Sequence, residues 1–590
     1  MSIVTLNKVT VFGLKSEHEA ILKGLQDLGC MHLIPLQPSP QESGFILIDF
    51  YENAQKALRY IMDVPRRRHQ VHDEAVFDLE QVVVAALANQ QQRREAEDNK
   101  LSLYQRLEKL APWGNFTLPD LNELGGYRLW FYQVPHTKAK QIQTLELPWQ
   151  IVGEDHLNVY VVVIAKEEPP NDLLPVCRTH AGSVSPEELK RQLEQVEIEL
   201  DEIRAEHEAL SRWIFLLSKN LARVEDEAAL QEACTQAKEQ DGIFMVQGWI
   251  PNQVLNHLDA FSKQNKLAFL AEPPKPEETP PTLMDNSPTF RGGQDLVTFY
   301  ETPGYRTWDP AAVVFFSFAL FFAIIISDAG YALVLTAILA CCWHQIGKNA
   351  KGKNFRLLAV VGLSLAVIYG IFIGSYFGIE PQEGSLLANF KILNLQDYNG
   401  MINLSVAIGC LHLACANAIA AHHGSRFADK AKPGGWIVVI CGGFTLFLGW
   451  QELGIILLGG GCLLIFLAGF VGSKKRFPLS VIDALGSLIG ISKLFGDVMS
   501  YLRLFALGLA SASLALTFNQ LAEQVQQAVP GLGLFLGFLI LLLGHSINLL
   551  LAIISGFVHG LRLNYIEFFD WGLSEEGYPF QAFAKKESHS

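Results

Sequence analysis

Residues 496–517 read GDVMSYLRLFALGLASASLALT, an apolar run with a single arginine, Arg503, near its middle. When the segment is drawn as a helix, one of its faces is small everywhere except at that arginine. This face consists of Gly496, Ser500, Arg503, Ala506, Ala510, Ser513 and Thr517. Small residues at this spacing let another helix approach closely, and an ionisable side chain inside a membrane span indicates function. The segment predicts a membrane helix whose arginine is functional, and an arginine that reaches the membrane surface or is paired structurally is the alternative.

The last apolar segment of the chain places nearly all its polar groups on one helical face. That face consists of His545, Asn548, Ala552, Ser555, His559 and Arg562, and only Ser546 lies off it. A polar face of this length cannot contact lipid, so it lines water or a partner helix. Histidines that titrate near neutral pH suit a proton path. Polar contacts that merely hold helices together are the alternative.

Apolar residues make up 50% of the 590-residue chain, and they concentrate in its second half. Two long apolar stretches there are interrupted by polar pairs, at 327–328 and 451–452, so each is predicted to form two spans. Eight transmembrane helices follow, at about 311–327, 329–346, 357–378, 402–421, 436–450, 453–471, 484–522 and 533–566. The last two are longer than a straight crossing requires, which predicts that they are tilted.

Positive charge in the loops predicts the orientation of these helices. The loops after the second, fourth and sixth spans carry Lys348, Lys351, Lys353, Arg356, Arg426, Lys430, Lys432, Lys474, Lys475 and Arg476, whereas the opposite loops carry only Lys391. Cationic loops stay in the cytoplasm. The first half of the chain and the tail at 568–590 are therefore predicted to be cytoplasmic.

Residues 1–290 are predicted to form a soluble domain of α/β lobes and an antiparallel coiled coil. Strands are expected at 3–14, 30–36, 128–134, 157–165 and 243–251, because these short segments are rich in β-branched and aromatic residues. Residues 189–224 carry apolar side chains alternately four and three apart, with His207 as the one exception, which is typical of a coiled coil. Residues 75–111 are its expected partner helix. Linkers are expected at 272–281 and 291–310.

Several other classes of function are excluded by composition and motif. A net charge of −14 argues against nucleic-acid binding. The nine cysteines include no CxxC pair, which supports neither a metal site nor a disulfide framework. Residues 347–354, GKNAKGKN, resemble a phosphate-binding loop, but Asn354 replaces the Ser or Thr and the segment follows an apolar helix. We therefore predict a chain without cofactor, metal or ATP site.

Three segments near the C-terminus carry a family resemblance. SYLRLFALGLA at 500–510, HGLRLNYIEFF at 559–569 and GYPFQAF at 577–583 together resemble the a/I subunit of rotary V-type and archaeal A-type ATPases. Further similarity lies at 245–251, 308–335, 369–378 and 408–419. The length resembles that of prokaryotic members, which implies a prokaryotic cell membrane.

The resemblance implies a non-catalytic stator subunit that holds ion half-channels against a ring of c-type proteolipids. Peripheral stalks of E/G type and a central-stalk or ring-cap subunit are the other implied partners. Arg503 matches the family's essential arginine, Arg562 its supporting arginine, and His559 another family position. Many members carry a carboxylate where this chain has Ala552, so His545, Asn548 or the ring itself would supply that part of the route.

Two functions of other classes compete with this one. A secondary transporter would require internal repeats and broken helices around a central site, and a membrane-anchored coiled-coil scaffold or receptor would require no buried arginine. The transported ion is either a proton or sodium, because the ion-binding carboxylate would lie on another subunit.

Overall fold

The computed structural model describes residues 2–37, 45–116, 125–167, 169–170, 176, 178–179, 185–382, 384–395, 397–424, 426–472, 479–529, 531–573 and 575–586. Among the residues discussed above, those at 474–476 lie outside this set. The chain divides into two compact units. The larger comprises Met1–Gly13, Cys30–Ile34 and Met245–Ala582, and the smaller comprises Leu14–Gly29, Pro35–Phe244 and Phe583–Ser590. Residues 245–290 are thus grouped with the apolar helices, whereas the sequence predicted a domain boundary at 290.

The strands are short, and each of the five predicted segments contains one. They are β1 (Leu6–Leu14), β2 (His32–Ile34), β3 (Arg128–Pro135), β4 (Trp149–Glu154), β5 (Asn158–Ala165), β6 (Arg178–Thr179), β7 (Lys238–Gln240), β8 (Ile243–Pro251), β9 (Ala268–Glu272), β10 (Thr302–Pro303) and β11 (Glu576–Gly577). The five strand predictions are confirmed.

Helices account for most of the remaining structure. They are α1 (His18–Leu28), α2 (Phe45–Met62), α3 (Leu79–Leu110), α4 (Pro186–Leu210), α5 (Ile214–Gln236), α6 (Leu255–Gln264), α7 (Arg291–Tyr300), α8 (Ala311–Ile326), α9 (Ala329–Cys341), α10 (Trp343–Ile346), α11 (Ala350–Ile373), α12 (Tyr398–His423), α13 (Phe427–Phe447), α14 (Gln451–Gly472), α15 (Leu479–Leu488), α16 (Gly490–Ser500), α17 (Leu502–Ala528), α18 (Gly533–Arg562) and α19 (Phe569–Gly572).

The smaller unit combines a sheet with two long packed helices. Its strands lie in the order β4-β5-β3-β6, and the paired neighbours are antiparallel. Helix α3 packs against α4 through apolar residues that include Leu103, Leu189, Val196 and Leu200. The predicted partner helix at 75–111 is confirmed as α3, while a supercoiled pair remains a prediction.

The predicted heptad helix is interrupted after Leu210 by a 3-10 turn, Ser211–Trp213, before α5 begins. The Ser211 hydroxyl donates to the Glu208 carbonyl (2.6 Å) and accepts the amide of Arg68 (2.9 Å). Serine side chains that bond to nearby backbone compete with regular helix. The apolar residues predicted for the heptad helix therefore still form a largely buried face, but α4 and α5 together are not one continuous α-helix.

The larger unit contains a sheet and the apolar helices. Its strands lie in the order β2-β8-β1-β9. Among the residues that the structure describes, five helical segments are long and apolar enough to cross a membrane, and α8 and α9 are shorter apolar helices. The five are Ala350–Ile373, Tyr398–His423, Gln451–Gly472, Leu479–Ala528 and Gly533–Gly572. The chain is a multi-pass membrane protein, and the count of eight crossings remains a prediction.

Both predicted interruptions of the long apolar stretches are present. Helix α8 ends at Ser327, whose φ of 46° turns the chain, and Asp328 caps the start of α9. Between α13 and α14, Gly449 has a φ of 90°, a left-handed conformation that glycine adopts without steric cost. The segment Leu479–Ala528 is not one regular helix, because it is divided into α15, α16 and α17.

The range 291–310, predicted as a linker, contains helix α7, which is a correction. Val297 is fully buried in an apolar cluster that includes Phe315 of α8. Gly293 allows this packing, because a Cβ at that position would come within 2.1 Å of the Ala311 carbonyl oxygen. The linker prediction overlooked an amphipathic helix of only ten residues.

Candidate functional site

Helix α17 has a buried face and an opposite face that nothing in the described chain covers. Its buried residues include Leu504, Phe505, Gly508 and Ser511. The predicted small-residue face points away from them. The face continues from α16, which contributes Gly496 and Ser500, into α17. Its exposed members are Gly496, Ala506, Ala510, Ser513 and Thr517, and Ser500 is half-buried. We call these six residues the small-residue face.

Arg503 lies beside this face without an acidic partner. Its side chain is half-buried, and the Nη1 atom is buried with no hydrogen-bond acceptor. Within the part of the chain that the structure describes, no carboxylate oxygen lies within 4.0 Å of the guanidinium. Arg562 and Glu567 are its electrostatic neighbours. A second positive charge stands near Arg503, and an acid of the same chain stands nearby without pairing with it.

The C-terminal part of the α18 polar face meets Arg503. His559 is half-buried, and its Nδ1 atom is buried without a partner. The ring interacts electrostatically with both Arg503 and Arg562, and the Arg562 side chain is exposed. Arg503, His559 and Arg562 are therefore electrostatic neighbours, and their roles in ion translocation remain predictions.

The N-terminal part of the same face forms a separate hydrogen-bonded group. His545 Nδ1 lies 2.7 Å from Tyr331 Oη, and its Nε2 lies 3.0 Å from Asn519 Oδ1. Asn548, only 1% exposed, donates to Tyr331 Oη (3.0 Å) and to the Ser511 carbonyl (2.8 Å). Helices α9 and α17 thus cover this end of the face.

Between these two groups, Ser555 is half-buried and Ala552 is buried. The face that the sequence presented as one polar stripe is therefore divided. In the N-terminal part, His545 and Asn548 are hydrogen-bonded to other helices. The C-terminal part contains Arg562 and the unpartnered Nδ1 atom of His559, and Arg503 of α17 is an electrostatic neighbour of both.

Glu567 belongs to the site and was not identified from the sequence. It is 2% exposed, and its Oε2 atom has no hydrogen-bond partner. Its electrostatic neighbours are Arg503 and Arg562, and its carboxylate contacts the Ser500 side chain. A carboxylate within the apolar motif NYIEFF, five residues after Arg562, was the signal that could have revealed it.

Three other polar residues of the apolar segments form hydrogen bonds within the chain. Asp328 caps α9 by accepting the amide of Tyr331 (3.0 Å). His412 Nδ1 lies 2.7 Å from Tyr501 Oη, and the Asn417 amide donates to the Leu413 carbonyl (2.9 Å). Asp328 and Asn417 are hydrogen-bonded within the described chain, whereas His412 is bonded through Nδ1 only and its buried Nε2 has no partner there.

Comparison with known proteins shows which proteins this chain is similar to. Residues 177–379 match the V-type ATPase 116kDa subunit family. A V-type ATP synthase subunit I from Chlamydia pneumoniae is 26% identical, and the match covers 87% of this chain and 87% of the relative. The chain is similar to subunit I of V-type and A-type ATP synthases over most of its length. An A-type ATP synthase subunit I from Methanocaldococcus jannaschii is 28% identical over 66% of this chain and 63% of its own length.

One solved structure is also similar to this chain. It is a crystal structure of the cytoplasmic N-terminal domain of subunit I, a homologue of subunit a of V-ATPase, and it aligns with a TM-score of 0.22 at 16% identity. The alignment covers 45% of this chain and 99% of that structure. These similarities, together with the apolar helices, support a membrane subunit of an ion-transporting V-type ATPase.

Proposed function

We propose that this chain is the membrane stator of a rotary V/A-type ATPase, in which Arg503 faces the carboxylates of a c-ring. The observation that carries the proposal is a buried guanidinium nitrogen without an acceptor, beside an exposed face of small residues. A buried cation without a counter-charge is costly. An acid supplied by another subunit removes that cost at the moment when the rotor brings it to Arg503.

The chemistry follows from the electrostatics of a lipid-exposed carboxyl group. A ring carboxyl must be neutral while it crosses hydrocarbon, because a bare charge there is unfavourable. Beside Arg503 the ionised form is stabilised, so the bound ion leaves. Arginine suits this role because it remains protonated in apolar surroundings, where lysine can lose its proton. The fixed positive charge also blocks direct ion leakage.

The two polar groups of α18 are proposed to line two offset aqueous routes. His545 and His559 are fourteen positions apart, which corresponds to roughly 21 Å along a helix. If the C-terminal tail is cytoplasmic, His559 and Arg562 lie toward the cytoplasm and His545 with Asn548 toward the opposite side. Ser555 lies between them. An ion would enter through one route, travel with the ring and leave through the other.

The smaller unit is proposed to be the cytoplasmic part of the stator. Long packed helices such as α3 and α4 resist bending, which suits an arm that must bear rotational load. Peripheral stalks of E/G type would bind this arm, and a central-stalk or ring-cap subunit would lie near the rotor. In this proposal the chain has no ATP site and couples ion flow to ATP hydrolysis or synthesis on other subunits.

The test is ATP-driven ion uptake into vesicles that hold the complete complex. We expect Arg503→Ala to abolish uptake while the complex still assembles, because the guanidinium has no partner within its own chain to lose. Arg426→Ala removes an exposed arginine of the same unit and is the matched control. Normal uptake by Arg503→Ala, or the absence of a small proteolipid and an ATPase head from the purified complex, would refute the stator proposal.

A further inference from the structure

The setting of Glu567 differs from that of an ordinary buried acid. One oxygen, Oε2, has no hydrogen-bond partner although the residue is 2% exposed. Neither Arg503 nor Arg562 forms an ion pair with it within 4.0 Å in the described chain. A carboxylate that served only as a counter-ion would be expected to contact a guanidinium directly, since the strong geometry is bidentate. The free oxygen is instead available to take up a proton.

A local change of helix type places this side chain inward. Residues Leu563–Phe568 form a π-helical turn between α18 and α19. Such a turn contains an extra residue per turn and commonly occurs at functional sites. Here Ile566 stays exposed while Glu567 is buried. The turn thus directs the acid toward Ser500 and Arg503, although the neighbouring residues are apolar.

Ser500 can serve both protonation states of this acid. Its hydroxyl donates to the Gly496 carbonyl (3.1 Å) and also contacts the Glu567 carboxylate. While its hydrogen points to Gly496, the Ser500 oxygen can accept a hydrogen bond from a protonated Glu567. When Glu567 is ionised, rotation of the hydroxyl lets Ser500 donate to it.

Polar side chains connect this position with the surface. On α16, residues 493, 497 and 500 lie on one face, about one turn apart. Lys493 pairs with Asp570 (2.8 Å), and both side chains are half exposed. Asp497 is half-buried and accepts from the Trp571 indole (2.7 Å). Titratable groups therefore run from the exposed Asp570 through Asp497 to the buried Glu567.

We propose that Glu567 is a proton-relay residue between Arg503 and the surface marked by Asp497 and Asp570. This inference rests on the proposed function. When a ring carboxylic acid ionises beside Arg503, its proton passes through water to the Glu567 carboxylate. The protonated Glu567 then gives the proton to Asp497, which releases it to water near Asp570. Each step moves one proton without electron transfer, and the sequence runs in reverse when the ring is loaded.

The relay takes a proton rather than a metal cation because of its neighbours. The electrostatic neighbours of Glu567 include two guanidinium groups, together with the Ser500 hydroxyl and the Tyr501 phenol. Hard cations require several oxygen ligands, and two positive charges repel them. The charged groups that face Glu567 from the packed elements are Arg503 of α17 and Arg562 of α18.

The decisive variant is Glu567→Gln, which keeps the shape of the side chain and removes its titration. ATP-driven proton uptake by the complete complex in vesicles should fall about 100-fold, in the range usual for loss of a proton-transfer group. Glu567→Asp should restore most of the rate with an altered pH profile. Glu523→Gln, which removes an exposed acid of α17, should leave both rate and profile unchanged.

The outcomes separate the relay from the stator function. If Glu567→Gln pumps at the wild-type rate and pH profile while Arg503→Ala does not pump, the relay is overturned and the stator proposal stands. If Glu567→Gln fails to assemble, infrared difference spectra of the wild-type and Glu567→Asp complexes decide the question. A carboxylic-acid band that titrates and shifts in Glu567→Asp supports the relay, and the absence of such a band overturns it.

Discussion

Asp328 and Arg503 are both charged residues within the apolar segments, but they differ in how far their hydrogen-bonding groups are satisfied by the chain. Asp328 is 2% exposed and accepts hydrogen bonds from the amides of Tyr331, Phe377 and Gly378, each at 3.0 Å, and from the Ser375 hydroxyl at 2.7 Å. Arg503 has a buried nitrogen with no acceptor. The acid is fully satisfied by its own chain, whereas the arginine is not.

The difference separates a structural charge from one that is kept for a partner. A buried ion that its own chain surrounds with donors stabilises the local fold, because removing it leaves those donors unpaired. A buried ion without a partner costs stability and persists only where function requires it. Substitution of Asp328 should therefore reduce stability and assembly, whereas substitution of Arg503 should abolish transport and leave assembly intact.

The largest expected effect on the protein itself follows from Asp328→Ala. Two loop amides and a serine hydroxyl would lose their acceptor inside the apolar unit, which should destabilise it by roughly 3 kcal/mol or more. We expect little assembled complex in the membrane, measured by quantitative immunoblotting and co-purification.

Asp397→Ala is the matched control for this prediction. Asp397 also caps a helix, through the Gly400 amide (3.1 Å), but it is exposed, so its loss should cost only about 1 kcal/mol. If Asp328→Ala assembled normally, Asp328 would not be needed for the local fold, and the proposed difference between a structural Asp328 and a functional Arg503 would be wrong.

A smaller effect, on transport alone, is expected from Ala510→Leu. The side chain lies on the exposed small-residue face, so a larger residue would hold the rotor away from Arg503 without disturbing the chain's own packing. ATP-driven uptake should fall roughly 10-fold or more, because small misplacements of reacting groups are costly. Ala418→Leu enlarges an exposed alanine of α12 and should not affect uptake. Equal rates for the two variants would mean that no partner approaches the small-residue face.

The smallest effect concerns His207, the polar residue in the heptad seam of the smaller unit. Its ring stacks on Tyr60 at 3.9 Å, and Nε2 lies 2.8 Å from the Tyr60 carbonyl oxygen. Burial lowers the pKa of His207, and the Arg93 charge lowers this pKa further, while the Tyr60 carbonyl, Asp63 and Glu208 raise it.

Because its folded pKa lies below its unfolded value, His207 favours folding fully above about pH 6.5. As the pH falls below that value, the unfolded state takes up a proton that the folded seam resists, and the free energy of unfolding decreases. The hydrogen-exchange protection factors of α4, which are corrected for the intrinsic pH dependence of exchange, should therefore decrease between about pH 7 and pH 5.5. His207→Gln should reduce this pH dependence and His69→Gln, at an exposed position, should not. An unchanged pH dependence in His207→Gln would contradict this role.

The sequence predicted those features that depend on helical period or residue type. The face around Arg503 could be read because its residues recur every three or four positions within one helix. The five strands were recognisable from β-branched and aromatic runs. The electrostatic proximity of Arg503, His559 and Arg562 comes from the structure, and the roles that the family resemblance implies for them remain proposals.

Features that depend on contacts between distant segments were not predictable in the same way. His545 and Asn548 are bound by Tyr331, more than two hundred positions earlier in the chain, so the division of the α18 face was hidden. Glu567 was missed because a π-helical turn changes which residues face inward. Helix α7 was missed because its buried side depends on Gly293 fitting against α8.

The central claim is that Arg503 meets an acid supplied by another subunit, and a structure of the complete complex in lipid tests it most directly. The quantity to measure is the distance from the Arg503 guanidinium to the nearest carboxylate. The account predicts a carboxylate of a neighbouring proteolipid within about 6 Å, with Ala510 and Ser513 covered by the same helix. An Arg503 that is paired with Glu567 of its own chain, beside a small-residue face covered only by lipid, would contradict it.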